Sequence, residues 1–579
     1  MKKIYYASTY DEIVSTLVSI DKDEGAIIKI EKDIIFSKPI EISGFTGLEI
    51  SSEKGHTLTG GTGNAKWKKS GDYLTCEVEK EPRILIINGR FVQKTSFPVS
   101  GYLENTDVSS YTWMNSQNGG WDKNPSTYDL THITVKSADI PETFDATNCD
   151  IRAIHIWDES TVSVKNYDPD SGIIETANEM AHPAGAFDVH KYQFLNTKFG
   201  TPQKGRWFYE RTEKKIYYCP ADGENENNIT GMIPVSQSII IIKDCKNIHI
   251  NNLKISLSNS EPGVISGLRA INPRGALQVE GSENITLDAL EIEYSGGQGI
   301  KFLNSKNIGV TNCKIKNCAS CGIATFECED EHISYNVIND IGLADFSAVS
   351  VHAGGKSELV YVMDGCKKES GQTIIQSNII DGSPYCGITC NGGPHIIKNN
   401  KVARCMQTLK DGGAIYCSRA DGTLIKDNYI SEVPSDTAYA IYLDELSESC
   451  TVDGNVSVDV NVPLSCHIAK NCAVSNNIAI NNDETRIRLI RSKNFNFRNN
   501  IILSEKNITF DIKTYMPDEK YTLKDCATFS GDVFCAPDIE VDPRENSGLT
   551  VCEKLEFIRE NNRFVFRQLP NDICNKYID

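Results

Sequence analysis

The chain has 579 residues, long enough for several ordinary domains or for one solenoid with additions. Its formal net charge of -19 weighs against nucleic acid, anionic lipid or a highly acidic polymer such as pectin as the partner. No apolar run reaches the ~18 residues that a membrane-spanning helix needs, so no membrane association is expected.

The N-terminal stretch MKKIYYASTYDEIVSTLVSI has basic residues but no uninterrupted apolar segment of signal length, and a cytoplasmic location is the expectation. Residues 1–62 then read as the first coils of a solenoid, in the short alternating runs AIIKIEKDIIF, KPIEISG and GLEISSE. Residues 63–235 are of another kind, aromatic-rich with strands such as RILIING (83–89) and STVSVKNYD (160–168). They predict an inserted β-rich, sandwich-like domain.

Residues 236–510 predict the main body. One phrase recurs there, an alternating apolar run, an Asn, then another run, as in NIHINNLKI, HIIKNNKV and FNFRNNII. Aligned on Asn252, Ala289 (an exception), Asn312, Asn336, Asn378, Asn400, Asn428, Asn455, Asn477 and Asn500, the spacings are 37, 23, 24, 42, 22, 28, 27, 22 and 23. A base period of 22 to 24 residues matches one coil of a parallel β-helix. The Leu-x-x-Leu-x-Leu phrase of a leucine-rich repeat is missing. A single coil cannot bury its own apolar face, so stacking must supply the core. Asn suits the bend between strands because it tolerates left-handed backbone, and stacked on itself it can form a ladder.

A second phrase, GIKF (299–302), GIAT (322–325), AVSV (348–351), GITC (387–390), GAIY (413–416), AIYL (440–443) and SCHI (465–468), predicts one strand of each coil, stacked in a parallel sheet. The excess length falls at 336→378, 400→428 and 428→455. Extra residues in a solenoid become loops on one face, often the binding face. Residues 511–579 are expected to cap the open end.

The twenty cysteines are scattered and often inside strands, which predicts interior packing, free thiols and no structural disulfide. Cys318-x-x-Cys321 has no second pair or nearby His, so it predicts no zinc. No cofactor or metal is expected.

Two acids stand out. Asp411 opens DGGAIY just before a stacked strand, and Asp444 follows AIYL in the next coil. With Ala414, Tyr416, Ile441 and Leu443 inward, both acids belong to the outer face. A glycosidase uses two carboxyl groups about 5 to 9.5 Å apart. Regular register aligns Asp444 with Cys417, about 20 Å along the strand from Asp411, so the pair requires a bend at Gly412 and Gly413. Capping of a turn is the alternative role for each. Glu327, His352 and Asn391 follow the same strand in earlier coils and predict a column of sugar-binding groups. His395 and Glu445 are further candidates beside them.

The string SPYCGITCNGGPHIIKNNKVARC, DGGAIY, GTLIKDNYI, AIYLDE and TVDGNV resembles the right-handed parallel β-helix proteins of glycoside hydrolase family 141. HTLTGG, LIINGRFVQKTSFP, IHIWDESTVSVKNYD and GRWFYERTEKKIYYCP resemble the inserted domain of that family, so the likeness covers most of residues 50–480. The resemblance implies a right-handed helix, an α-L-fucosidase or xylanase-type activity, and catalytic roles for Asp411 and Asp444. Family members often carry a Glu before the first motif, where this chain has Gln407, which cannot act as acid or base. The β-helix xylosidases of glycoside hydrolase family 120 are similar as well. The function expected is therefore hydrolysis of a neutral oligosaccharide or glycoside, exo-acting, with carbohydrate as the partner. The alternatives are a polysaccharide lyase or epimerase on the same fold, and a non-catalytic carbohydrate binder.

Overall fold

A computed structural model describes residues 2–579 other than 63–64, 107–124, 143, 200–201, 262–263, 268–272, 354–370, 435–437, 513–521, 541–548, 553–556, 561–562, 567–575 and 578–579. The chain forms two compact units, one of residues 1–305, 312–324 and 339–349, the other of 306–311, 325–338 and 350–579. Both are built on the parallel β-helix, with three short strands per coil on three parallel sheets. No helix among the described residues is long and apolar enough to cross a membrane.

The first unit begins with a strand, Lys3–Ala7, and a helix, Tyr10–Ser19. The helix forms because Thr9 caps it, accepting from the Glu12 amide at 3.2 Å, and because Ile13 and Leu17 share one buried face. The repeat reading of residues 1–62 did not foresee it. Consecutive coils then pair in register, Ile40 with Ile240 and Ile50 with Ile250. The chain thus leaves the β-helix after strand Thr57–Thr59 and re-enters it with strand Ile240–Lys243, which stacks directly on Ile40–Ser43.

Between these points lie antiparallel strands. Four strands around Arg206–Glu210 and four around Leu85–Ile87 share a core of Trp207, Tyr218, Leu74 and Ile233. A further sheet, with Asp150–Ile154, Glu159–Asp168 and Lys191–Leu195, packs Ile151, Val162, Tyr192 and Phe194. Strand Gly61–Thr62, predicted as the last of the first coils, pairs instead with Ile233 and Pro234 of these antiparallel sheets. Strand Val264–Gly267 likewise joins Glu159–Val162.

In the second unit, period-2 burial places Ile397, Ile425, Val452 and Val474 inside. The asparagines do form a ladder. The Nδ2 groups of Asn336, Asn378, Asn400, Asn428, Asn455 and Asn477 each donate to the Oδ1 of the next at 2.9–3.0 Å, and Asn500 ends the run on Asp532 at 2.7 Å. The left-handed residue of each bend is the one before the ladder Asn: Tyr335, Ser377, Asn399, Asp427, Gly454, Asn476 and Asn499 all have positive φ. In the first unit Asn252, Ala289 and Asn312 are the left-handed residues, and Leu253, Leu290 and Cys313 fill the inner place. The sequence alignment is therefore one residue out before Asn336, and Ala289 is no exception. Two different requirements, a left-handed backbone and a buried donor–acceptor, had been read as one.

Coils continue past residue 510. Phe495 pairs with Ala527, Ile501 with Val533 and Asn507 with Asp538. Three antiparallel strands, Phe557–Glu560, Arg563–Phe566 and Lys576–Tyr577, follow.

Among the described residues sixteen cysteines are free, fifteen of them buried. Cys535 is disulfide-bonded, against the expectation of none. Parallel stacking brings like positions of successive coils side by side, which is how a solenoid pairs cysteines that are distant in sequence. Titration of denatured, unreduced protein should therefore count fewer than the twenty thiols in the chain, and reduction should restore all twenty. Twenty thiols without reductant would contradict the bond.

Candidate active site

The site lies on the third sheet of the second unit. Strands Val351–Ala353, Ile388–Asn391, Gly412–Ser418, Ala438–Asp444, Leu464–His467, Thr485–Ile490 and Asn507–Asp511 stack in parallel. Ile415, Cys417, Ile441 and Leu443 point into the core. Tyr416 is outward, opposite to the sequence reading, because its strand pairs one residue differently: Ser418, not Cys417, aligns with Asp444. Register then sets His352, Thr389, Tyr416, Tyr442, Ser465, Arg488 and Asp511 in one outer column. Asn391, Ser418 and Asp444 form the column beside it.

Asp411 stands just before its strand with φ of 55°, and the Tyr385 hydroxyl donates to its carbonyl at 3.1 Å. Neither following glycine has a positive φ. The bend is thus made by Asp411 itself, and alternation stops there. The glycines provide room instead. A Cβ on Gly412 would lie 2.8 Å from the Tyr385 ring and 2.9 Å from Cys386 Sγ and from Met406 Cε. Gly412→Ala should cost about 1–3 kcal/mol through overpacking and lower turnover roughly tenfold or more by displacing Asp411. Comparing kcat with melting temperature checks this, and unchanged turnover would detach Gly412 from the site.

The Tyr442 hydroxyl faces the Asp411 carboxyl and favours its charged form. Burial, then the Asp444 charge nearby, push it up to about 6 against the pull of Arg488 and His467. Asp444 accepts from Tyr416 Oη at 2.7 Å, and His467 Nδ1 lies 3.0 Å from its other oxygen. Burial raises its pKa, but the hydrogen bond and charge of His467, the Glu445 amide and Tyr416 outweigh it and leave it below the usual range. Its side chain remains 16% exposed, within reach of a ligand. Arg488 lies over the Tyr439 ring at 4.8 Å, donates to Ser465 Oγ at 3.2 Å and sits 3.6 Å from Asp511. Tyr416 and Tyr439 each meet Tyr442 edge-on, at 5.3 and 4.9 Å. Two carboxyls with opposed pKa shifts, walled by aromatic rings and donors, suit acid–base work on a polar, ring-shaped ligand.

The other candidates divide. His352 is buried, pairs through Nδ1 with Thr389 Oγ1 at 2.7 Å and packs on Phe326. Asn391 stands one column away from His352, so Glu327, His352 and Asn391 do not form the single column expected; Glu327 has left-handed backbone with φ of 54°. Asn391 is 7% exposed, with an Oδ1 that no protein group meets. His395 is 1% exposed, its Nε2 donates to the Asn391 carbonyl at 2.8 Å and its Nδ1 accepts from the Thr373 amide at 3.2 Å. Both nitrogens serve backbone, so it packs the fold and does not face a ligand. Glu445 contributes its amide to Asp444, and its carboxylate lies 4.0 Å from Arg419. The enlarged coil 336→378, expected to supply a loop on the binding face, includes residues 354–370, which lie outside the described residues.

Sequence reasoning missed Tyr416, Tyr439, Tyr442, His467 and Arg488. A signal existed: His467 lies 23 residues after Asp444, and Arg488 the same distance after Ser465, one coil in each case.

A family model described as right handed beta helix region matches residues 226–402 and 362–512. This is a right-handed β-helix protein. Its fold is similar to that of a solved glycoside hydrolase, with 14% identity, 91% of each chain covered and a TM-score of 0.54. It is also similar to XylC, solved with xylose, at 10% identity and a TM-score of 0.44, over 98% of this chain and 89% of that one. PfbA, a surface adhesin of Streptococcus pneumoniae, shares 11% identity over 57% of this chain and 88% of its own, at a TM-score of 0.36. No curated protein matches the chain in sequence. At these identities the likeness is one of fold.

Proposed function

We propose that this β-helix protein is a glycoside hydrolase acting on a neutral glycoside, with Asp411 as general acid and Asp444 as the ionised partner. The observation that carries the reading is the opposed tuning of two neighbouring carboxyls, one up to about 6 and one below its usual range. Asp411 keeps its proton for the leaving oxygen. Asp444, held by Tyr416 and His467, either attacks the anomeric carbon or activates water. Tyr416, Tyr439 and Tyr442 offer rings and hydroxyls to a sugar face. The resemblance of DGGAIY and YLDE to family 141 supports an α-L-fucoside or xyloside, taken exo-fashion.

A panel of aryl glycosides that includes α-L-fucosides and xylosides tests this directly. Release of the phenol, lost in Asp444→Asn, is the expected result. A new ultraviolet absorbance from an unsaturated sugar would mark a lyase instead. Sugar binding without turnover of any substrate would mark a binder.

A further inference from the structure

In the first unit, away from the carboxylate pair in sequence and role, three side chains converge inside the inserted sheets. His155 and Asp158 belong to the tight connection between strands Asp150–Ile154 and Glu159–Asp168. His182 arrives from the segment after strand Ile173–Thr176. Nδ1 of His155 lies 2.8 Å from Asp158 Oδ1, and Nδ1 of His182 lies 2.8 Å from Oδ2 of the same carboxylate. Their side chains are 0%, 1% and 12% exposed. Among the described residues this is the one group of three His, Cys or acidic residues arranged to hold a metal ion.

The bland account is a pair of hydrogen bonds to one carboxylate, and the geometry argues against it. The Asp158 Oδ1–His155 Nδ1 approach is short, yet neither atom has an aligned hydrogen bond. The other nitrogen of His155, Nε2, is buried without a partner as well. A wholly buried imidazole with no hydrogen bond at either nitrogen is a costly feature, and it is stabilised when a lone pair is shared with a cation. Lone pairs that approach closely but do not point along N–H···O lines converge instead on the space between them. A tetrahedral ion with bonds of ~2.0–2.1 Å holds neighbouring ligand atoms about 3.3 Å apart, so the cluster need only spread by about half an ångström.

We propose that His155, Asp158 and His182 bind a divalent transition-metal ion of the zinc class. Two imidazoles and one carboxylate are the donor set that borderline ions such as Zn2+ prefer over Ca2+ or Mg2+. Three protein ligands leave one position for water, on the partly exposed His182 side. Trp157 and Phe187 wall the cluster, their rings 4.1 Å apart and Phe187 5.2 Å from the His182 ring. The ion would tie the His182–Asp188 turn, where Phe187 and Asp188 have left-handed backbone, to the 150–168 hairpin. Its role is to fix that turn. The Asp411 and Asp444 chemistry does not depend on it.

Untagged full-length protein, stripped with a chelator and dialysed against limiting Zn2+, should retain about one equivalent by atomic emission and melt at a higher temperature than the stripped form. Co2+ in its place should give the visible bands of a low-coordinate nitrogen–oxygen site. Asp158→Asn keeps the side-chain shape but not the anionic ligand. It should lose more than roughly 100-fold in affinity, beyond what loss of an outer partner costs. His182→Ala should do the same by a different deletion. Stripped wild-type protein that takes up no Zn2+ or Co2+, or no more than these two variants, would overturn the site.

Discussion

Asp444→Asn should lower kcat at least about 10³-fold on every aryl glycoside that the protein cleaves, whatever the leaving group. Asp411→Asn should behave differently. Its loss should be comparable on substrates with poor leaving groups and much smaller on those with acidic phenols, which depart without a proton. This asymmetry tests the assignment of roles, because a merely structural aspartate would show no dependence on the leaving group. The pH profile follows from the same tuning. The active form has Asp411 protonated and Asp444 ionised, so kcat/KM should fall as pH rises through about 6 and again as pH drops through the lowered Asp444 value. Stability has its own sign. Asp411 has a folded-state pKa above its unfolded value, so its contribution is full below the unfolded pKa and is lost as pH rises through about 6. Asp411→Asn removes that loss and should raise the melting temperature at neutral pH relative to the parent. Full activity in the Asp444→Asn protein would end the assignment.

The second large effect concerns the ladder. Asn428 accepts from the Asn400 amide and from its Nδ2, both at 2.9 Å, and donates to the Ile397 carbonyl at 3.0 Å and to Asn455 at 2.9 Å. All of these groups are buried between coils. Asn428→Ala strands two donors and a carbonyl where no water reaches, at ~1–3 kcal/mol each before relaxation. The expected cost is about 3 kcal/mol or more, read as a fall in the denaturation midpoint with secondary structure retained under native conditions. A cost under about 1 kcal/mol would mean that the ladder is incidental to stacking. Asp532 makes the same point from the other end. It accepts from both the amide and the Nδ2 of Asn500, where the run among the described residues stops.

The architecture was open to sequence reasoning because a solenoid writes its period into the chain. Spacing near 23 residues, two-residue alternation and recurring Asn pointed to the parallel coils and to the outer face for Asp444. Both acids were singled out as candidates from motif and position, and the catalytic role came from the family resemblance. What escaped was everything that depends on one residue of register. Ser418 in place of Cys417 opposite Asp444 turns Tyr416 from core to site. The Asp411 bend was assigned to its glycines, since φ preference is all that a sequence shows and Gly is its usual sign, whereas Gly412 is kept small by the Tyr385 ring. His395 looked like a loop ligand until both its nitrogens were seen to hold backbone. Sequence by itself therefore determined the repeat and its sheets, because these follow from local periodicity, and it singled out the two acids as candidates. Only the tertiary structure decided which groups surround those acids, in which direction burial and neighbouring charges move each carboxyl, and that His155, Asp158 and His182 meet at all. Those outcomes depend on burial and on contacts between coils or hairpins, which local pattern does not encode.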